Sequence, residues 1–329
     1  MNDDELTTLV RRADLDGLVR LIDGWTAAGE WAGLLRVRDA SRAALESGRQ
    51  LWPAATLAEY RLALHAPAPW AARVLDEGSG RFTIGPLTEV VAQHHTLAEL
   101  TGHVDDPVRL GLIAHERARR GETVDVALNP LDIPFGRAAW EPSYPLATYT
   151  DDGLDAPAPP LPEPDVAGAL AAAGPGARAA VVEDAGVADA VRQLFDGWTA
   201  ASDGHVEVRC VEGTAAEAVG ALGLGRSRLT PITLAQSMAW LTWAGAGGGA
   251  HGRRRGTAIG RFGAWWLLAQ LTDLADEWPP DAAELGRAGS ALRWYWWDGG
   301  EAQLGWTVQL AVEDLADGYA WALSAHDAA

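Results

Sequence analysis

The stretch Gly245–Gly256, Gly-Ala-Gly-Gly-Gly-Ala-His-Gly-Arg-Arg-Arg-Gly, separates two strongly apolar, tryptophan-bearing segments, Pro231–Ala244 and Thr257–Leu274. Glycine at this density disfavours regular structure. The chain is expected to turn there, leaving two apolar segments to bury their surfaces. Gly256, Gly260 and Ala264 recur every four residues, which puts them on nearly one helix face and lets another backbone come close. The pattern predicts that Thr230–Ala244 and Thr257–Leu274 form an antiparallel helical pair in a C-terminal core. A membrane span needs roughly 20 predominantly apolar residues. Each segment falls short, so no membrane association is expected.

The first third is patterned for consecutive helices. Leu15, Leu18, Val19, Ile22 and Trp25 follow helical spacing, and Asp14 is placed to cap the segment. A second helix runs from about Glu30 to near Gly48, followed by Pro53–Leu64, Pro69–Leu75, Pro86–His94 and Pro107–Arg119. Proline suits the first helical position because its missing N–H needs no partner there. Residues 1–128 therefore read as an all-α helical array without a fixed repeat period.

From 129 to 164 the texture changes to an irregular, Pro-rich connector. Asp155-Ala-Pro-Ala-Pro-Pro-Leu-Pro-Glu-Pro164 should be extended, semi-rigid and at the surface. Residues 165–329 mix strands and helices. Ala179–Val182 and His205–Val211 read as strands, Val187–Trp198 and Thr214–Leu222 as helices. Leu292–Trp297, Gly305–Val312 and Tyr319–Ala325 close the chain as strands. Trp306, Val308, Leu310 and Val312 alternate with smaller residues, and Tyr319, Trp321 and Leu323 oppose Ala320, Ala322 and Ser324. One sheet face is bulky and the other small. The expected class is α+β overall, with a helical-array N-terminal half and an antiparallel-sheet C-terminal half.

The formal net charge is −19, and all 26 basic residues are Arg. That balance opposes general nucleic-acid binding, whose affinity comes mostly from phosphate neutralisation. A single cysteine, Cys210, rules out an intramolecular disulfide and a cysteine-rich zinc site. The acidic start, Met-Asn-Asp-Asp-Glu-Leu, lacks the basic and apolar pattern of a secretory signal. A cytoplasmic location is expected.

Against this acidity Arg253, Arg254 and Arg255 form a positive island, with His251 and Gly252 beside them and a helix start behind. These five residues are the candidate anion-binding site, suited to a phosphate-bearing ligand or an acidic protein partner. Pairing with the chain's own surplus carboxylates is the competing explanation. Gly245, Gly247 and Ala250 match Gly-x-Gly-x-x-Gly/Ala, but that fingerprint requires a preceding strand, and the segment before it reads as a helix. Trp294, Trp296 and Trp297 offer a candidate aromatic groove, against core packing as the default for aromatics. The histidines lack metal-ligand spacing, no metal site is indicated, and the residues name no cofactor.

Gly48-Arg-Gln-Leu-Trp-Pro53, Trp140–Tyr149 and Gly248–Gly256 resemble an uncharacterised protein family of actinobacteria, of unknown function. The resemblance implies no activity and assigns no functional residue. The leading expectation is a non-catalytic binding or scaffold protein. The alternative is an enzyme acting on a phosphorylated small molecule or nucleotide, with Arg253–Arg255 as clamp and His251, Glu313 or Asp314 for proton or metal work.

Overall fold

The computed structural model describes residues 3–76, 78–125, 127, 129–160, 171–172, 179–224, 226–300 and 305–327. The chain divides into two compact units, residues 1–130 with 146–156, and residues 131–145 with 157–329. The stretch 129–164 is thus shared between them. Its last part, Leu161–Pro164, lies outside the described residues.

The first unit is helical, in the order α1 (Asp3–Arg12), α2 (Leu15–Ala28), α3 (Trp31–Ala43), α4 (Trp52–His65), α5 (Ala68–Ala71), α6 (Leu87–His94), α7 (Leu97–Leu100) and α8 (Pro107–Arg119). Asp14 accepts from the Gly17 amide at 2.8 Å and caps α2. Gly29, at φ 71°, ends that helix in the left-handed conformation that glycine tolerates. Helix α4 packs against α2, α3 and α6, and its Ala54, Ala58 and Leu62 are fully buried. A two-stranded hairpin, β1 (Thr148–Thr150) and β2 (Gly153–Asp155), completes the unit. The Tyr60 hydroxyl anchors it by donating to the Thr150 carbonyl at 2.7 Å.

The second unit is built on an antiparallel sheet. Its elements are β3 (Ala171–Ala172), β4 (Ala180–Val182), α9 (Ala185–Leu194), α10 (Asp196–Ala200), β5 (His205–Glu212), α11 (Ala215–Ala221), β6 (Arg226–Ile232), α12 (Leu234–Ala246), α13 (Thr257–Leu271), α14 (Ala282–Ala291), β7 (Arg293–Asp298), β8 (Trp306–Asp314) and β9 (Tyr319–Asp327). The strand order is β3-β6-β7-β8-β9-β5-β4. Among the described residues the whole is α+β, helices first and sheet after.

Both sheet faces are covered, as the side-chain sizes demand. Ala311, Ala320, Ala322 and Val211 form the small face, against which α11 packs closely together with Trp297. Leu310, Val312, Trp321 and Leu323 form the bulky face, meeting Val187 and Val191 of α9, Leu241 of α12, and Leu267 and Leu271 of α13.

One expectation fails at Thr230-Pro231. These residues end strand β6, where a helix start was expected, and Pro231 lies opposite Tyr295. Helix α12 begins three residues later. Thr233 caps it, accepting from the Gln236 amide while Gln236 Oε1 accepts from the Thr233 amide at 2.8 Å. Among the described residues, the ladder on the far side of β6 pairs Ala171 with Ser227 and Ala172 with Arg226.

Candidate functional site

The glycine–arginine loop is a folded structure. Arg255 and Gly256 both donate their amides to the Ala246 carbonyl, at 2.8 and 3.2 Å, which closes the turn between α12 and α13. Asp327, at the end of β9, accepts from the Ala250 amide at 2.6 Å. Ser202 accepts from the His251 amide at 3.1 Å. A Cβ on Gly248 would collide with the Arg253 carbonyl, and one on Gly252 would stand 2.7 Å from the Gly197 carbonyl. Close packing of the loop on itself and on α10 therefore accounts for these glycines.

The three arginines do not converge on one point. Arg253 is exposed. Arg254 donates to the Thr257 hydroxyl at 2.7 Å and lines one cavity. Arg255 donates to the Gln193 and Leu194 carbonyls at 3.0 and 3.4 Å and lines a different cleft. His251 is exposed and Gly252 half-buried, and neither lines either space.

The cavity at Arg254 has a volume of about 500 Å³, within the usual range for small-molecule sites. One wall is a single face of α12, where Ala235, Ala239, Thr242, Trp243 and Ala246 recur at helical spacing. Its alanines leave the room, and Trp243, half-buried, supplies aromatic surface. Trp243 stacks on Trp306, with centroids 4.7 Å apart and planes 12° apart. Its indole N–H donates to the Pro157 carbonyl at 3.1 Å. Trp240 leans on Trp296 at 4.5 Å. The opposite wall is proline-rich, formed by Pro142–Pro145 and Pro157–Pro160. Arg254 and Thr257, the first residue of α13, lie in the lining with them.

Next to this wall lies a buried ion pair. Arg261 of α13 grips Glu141 with both arms of its guanidinium, Nε to Oε1 and Nη2 to Oε2, each at 2.7 Å. The pair is almost wholly excluded from solvent. Arg261 also donates to the Pro134 carbonyl at 2.5 Å and the Gly136 carbonyl at 2.9 Å. Glu141 further accepts from the Trp265 indole, the Tyr144 hydroxyl and the Ala138 amide, at 2.8, 2.9 and 2.7 Å. Burial alone would raise the Glu141 carboxyl, but the hydrogen bonds and charge of Arg261, with Trp265 and Ala138, outweigh it and hold the group below the ordinary range. Burial and the neighbouring carboxylate push the Tyr144 phenol up. Tyr144 also lines the cavity, so the ion pair fixes part of the wall.

The expected aromatic groove is corrected. Trp294, Trp296 and Trp297 are each at most 4 % exposed. Trp294 donates to the Gly289 carbonyl at 2.9 Å, and Trp297 to the Leu310 and Leu323 carbonyls at 3.1 and 3.2 Å. They are core residues, because the four-residue aromatic run lies in a sheet covered on both faces. Of the tryptophans in the cavity lining, Trp240 is likewise buried and Trp243 is half-buried. Glu313 accepts from the Tyr295 hydroxyl at 3.2 Å, and Asp314 accepts from the Ala316 and Asp317 amides of a turn. Neither lines either cavity beside the arginines. Among the described residues no cluster of His, Cys, Asp or Glu could hold a metal, and no helix is long and apolar enough to cross a membrane.

A model of a protein family of unknown function, DUF6183, matches residues 16–329. This chain belongs to DUF6183. The match takes in all three stretches that carry the sequence resemblance, including the Trp140–Tyr149 segment that holds Glu141 and Tyr144. No curated protein and no solved structure matches the chain. For this DUF6183 chain the ion pair had a sequence signal. Arg261 is the one charged residue in the apolar run Thr257–Leu271, and a charge there requires a buried partner. The cavity had none, since it depends on proline-rich segments far from α12 in sequence.

Proposed function

We propose that this protein is a binding protein whose site is the Trp240–Trp243 cavity, and that its ligand is a flat, mostly apolar small molecule. The observation that carries this reading is the helical face of Ala235, Ala239 and Trp243 set against a proline wall with about 500 Å³ between them. Flat aromatic surfaces in a largely apolar, partly closed space favour planar ligands through stacking and burial. Among its described lining residues there is no His, Cys, Asp or Glu to serve as nucleophile or general base. That supports binding over the alternative of an enzyme acting on a phosphorylated compound.

The test uses a neutral planar probe, pyrenemethanol, whose excitation overlaps tryptophan emission. Binding should give energy transfer from Trp240 and Trp243. Ala239→Trp should fill the cavity and remove that transfer while the thermal midpoint stays near the wild-type value, because Ala239 faces the open space. Equal transfer in wild type and variant would place the probe elsewhere and defeat the reading.

A further inference from the structure

We infer that the cleft between α9 and α13 is a second site, which takes an α-amino acid with an apolar side chain in its zwitterionic form. It stands apart from the cavity of the binding reading above. The cleft has a volume of about 460 Å³, inside the usual range for small-molecule sites. Its floor is one face of α13, where Ile259, Phe262 and Trp266 recur at helical spacing and are half-buried. Trp278 fixes both rings from behind, meeting Phe262 and Trp266 edge to face with centroids 5.7 and 5.1 Å away. An apolar side chain would find a preformed, partly shielded surface there.

The rim carries charge of both signs. Among the described residues the charged side chains lining the cleft are Asp189, Arg192, Asp196 and Arg255. Arg192 pairs with Asp189, and their charges cancel. Arg255 and Asp196 remain, and neither is paired with an opposite charge among the described residues. The Arg255 guanidinium is anchored through Nη1, which donates to the Gln193 and Leu194 carbonyls where α9 ends. Those bonds do not use Nε and Nη2, the other edge of the fork. A Cβ on Gly197 would stand 3.1 Å from Arg255 Cδ, so the arginine stem runs beside the backbone just after Asp196. The two opposite charges thus share one stretch of wall without bridging each other.

That arrangement selects the ligand by its charges. A simple anion would pair with Arg255 and be repelled by Asp196, and a simple cation would meet the reverse. A zwitterion answers both. Having no net charge, it also escapes the repulsion that a chain at −19 exerts on anions. A carboxylate matches the planar fork of arginine, which leaves the ammonium to Asp196. An α-amino acid carries the two groups on one carbon, with its side chain free to lie on the aromatic floor.

The test is calorimetric titration of the full chain with L-phenylalanine, phenethylamine and hydrocinnamate, which share the ring and differ in charge. Wild-type protein should bind phenylalanine roughly tenfold or more tightly than either analogue, each of which gives up one charge-assisted contact. Glycine, which lacks the ring, should bind more weakly still. Asp196→Asn should remove the advantage over hydrocinnamate, and Arg255→Gln the advantage over phenethylamine. Should Arg255→Gln also lower the thermal midpoint, Asp196→Asn decides alone, since Asp196 is exposed and the change keeps its shape. No binding of phenylalanine at millimolar concentration would overturn the inference. So would equal binding of the three ring compounds, or a preference for phenylalanine that survives both substitutions.

Discussion

Gly245 of α12 and Gly260 of α13 meet backbone to backbone. A Cβ on Gly245 would stand 3.1 Å from the Gly260 Cα, and a Cβ on Gly260 would stand 2.5 Å from the Ala246 amide nitrogen. Neither obstacle is a side chain that can swing aside. Gly260→Leu should therefore cost about 1–3 kcal/mol or more, the usual range for overpacking. Urea unfolding would show it as a lower midpoint. An unchanged midpoint would mean that the two helices separate at no cost.

Gly24 makes the opposite case. It lies inside α2, and a Cβ there would meet nothing within 4 Å. Gly24→Ala should stabilise the protein by about 0.5–1 kcal/mol through the smaller backbone entropy of alanine. The same urea series would measure it, and a loss of stability would contradict the open space seen at that position.

Arg261 and Glu141 should be separable energetically only at high cost. Arg261→Met leaves a buried carboxylate facing apolar groups, and Glu141→Gln leaves a buried guanidinium without its counter-charge. Each should cost about 3–5 kcal/mol. The double variant should be far less destabilised than the sum, because neither charge is then stranded. Additive losses in a double-mutant cycle would show that the two side chains do not act as a pair.

The same pair predicts an acid limb of stability. The folded-state Glu141 carboxyl lies below its ordinary value of 4.5. Its contribution is therefore fully present above that value and is lost as pH falls through the folded one. Comparing wild type with Glu141→Gln between neutral pH and pH of about 3 should show the stability difference narrowing only on the acid side. A gap that stays constant with pH would mean that Glu141 titrates alike in folded and unfolded chains.

Asp184 holds two groups at once, the Val187 amide at 3.0 Å as the cap of α9 and the Trp321 indole at 2.9 Å from β9. Asp184→Ala should cost about 1–2 kcal/mol, more than Asp106→Ala at the exposed start of α8. Thermal midpoints of the two variants give the comparison.

How much of this was legible varied with the range of the forces involved. The alternation of β8 and β9 was readable because neighbours on one strand report directly on two faces. Ala320 and Ala322 lie on the small face that the alternation marked, and α11 packs there. The Gly256–Gly260–Ala264 spacing marked the helix contact for the same local reason. Pro231 misled because proline suits both a helix start and a strand position that needs no amide donor, and only the partner strand decides. The placement of the arginines could not be read locally at all. Adjacent residues in a turn point apart, so three neighbours in sequence became three separate environments, one exposed and two in different cavities. Trp243 read as core because nothing local announces that a proline-rich segment distant in sequence leaves it half-buried beside a cavity.

The proline wall has a consequence for how tightly anything could be held. Pro142, Pro145, Pro157, Pro159 and Pro160 line one side of the cavity, and each ring locks its own φ. A wall of this kind has few backbone conformations to surrender when a guest arrives. Much of the ordering that usually opposes association has already been done during folding. Affinity here should respond less to loop closure than to how completely the guest displaces water from the indole faces.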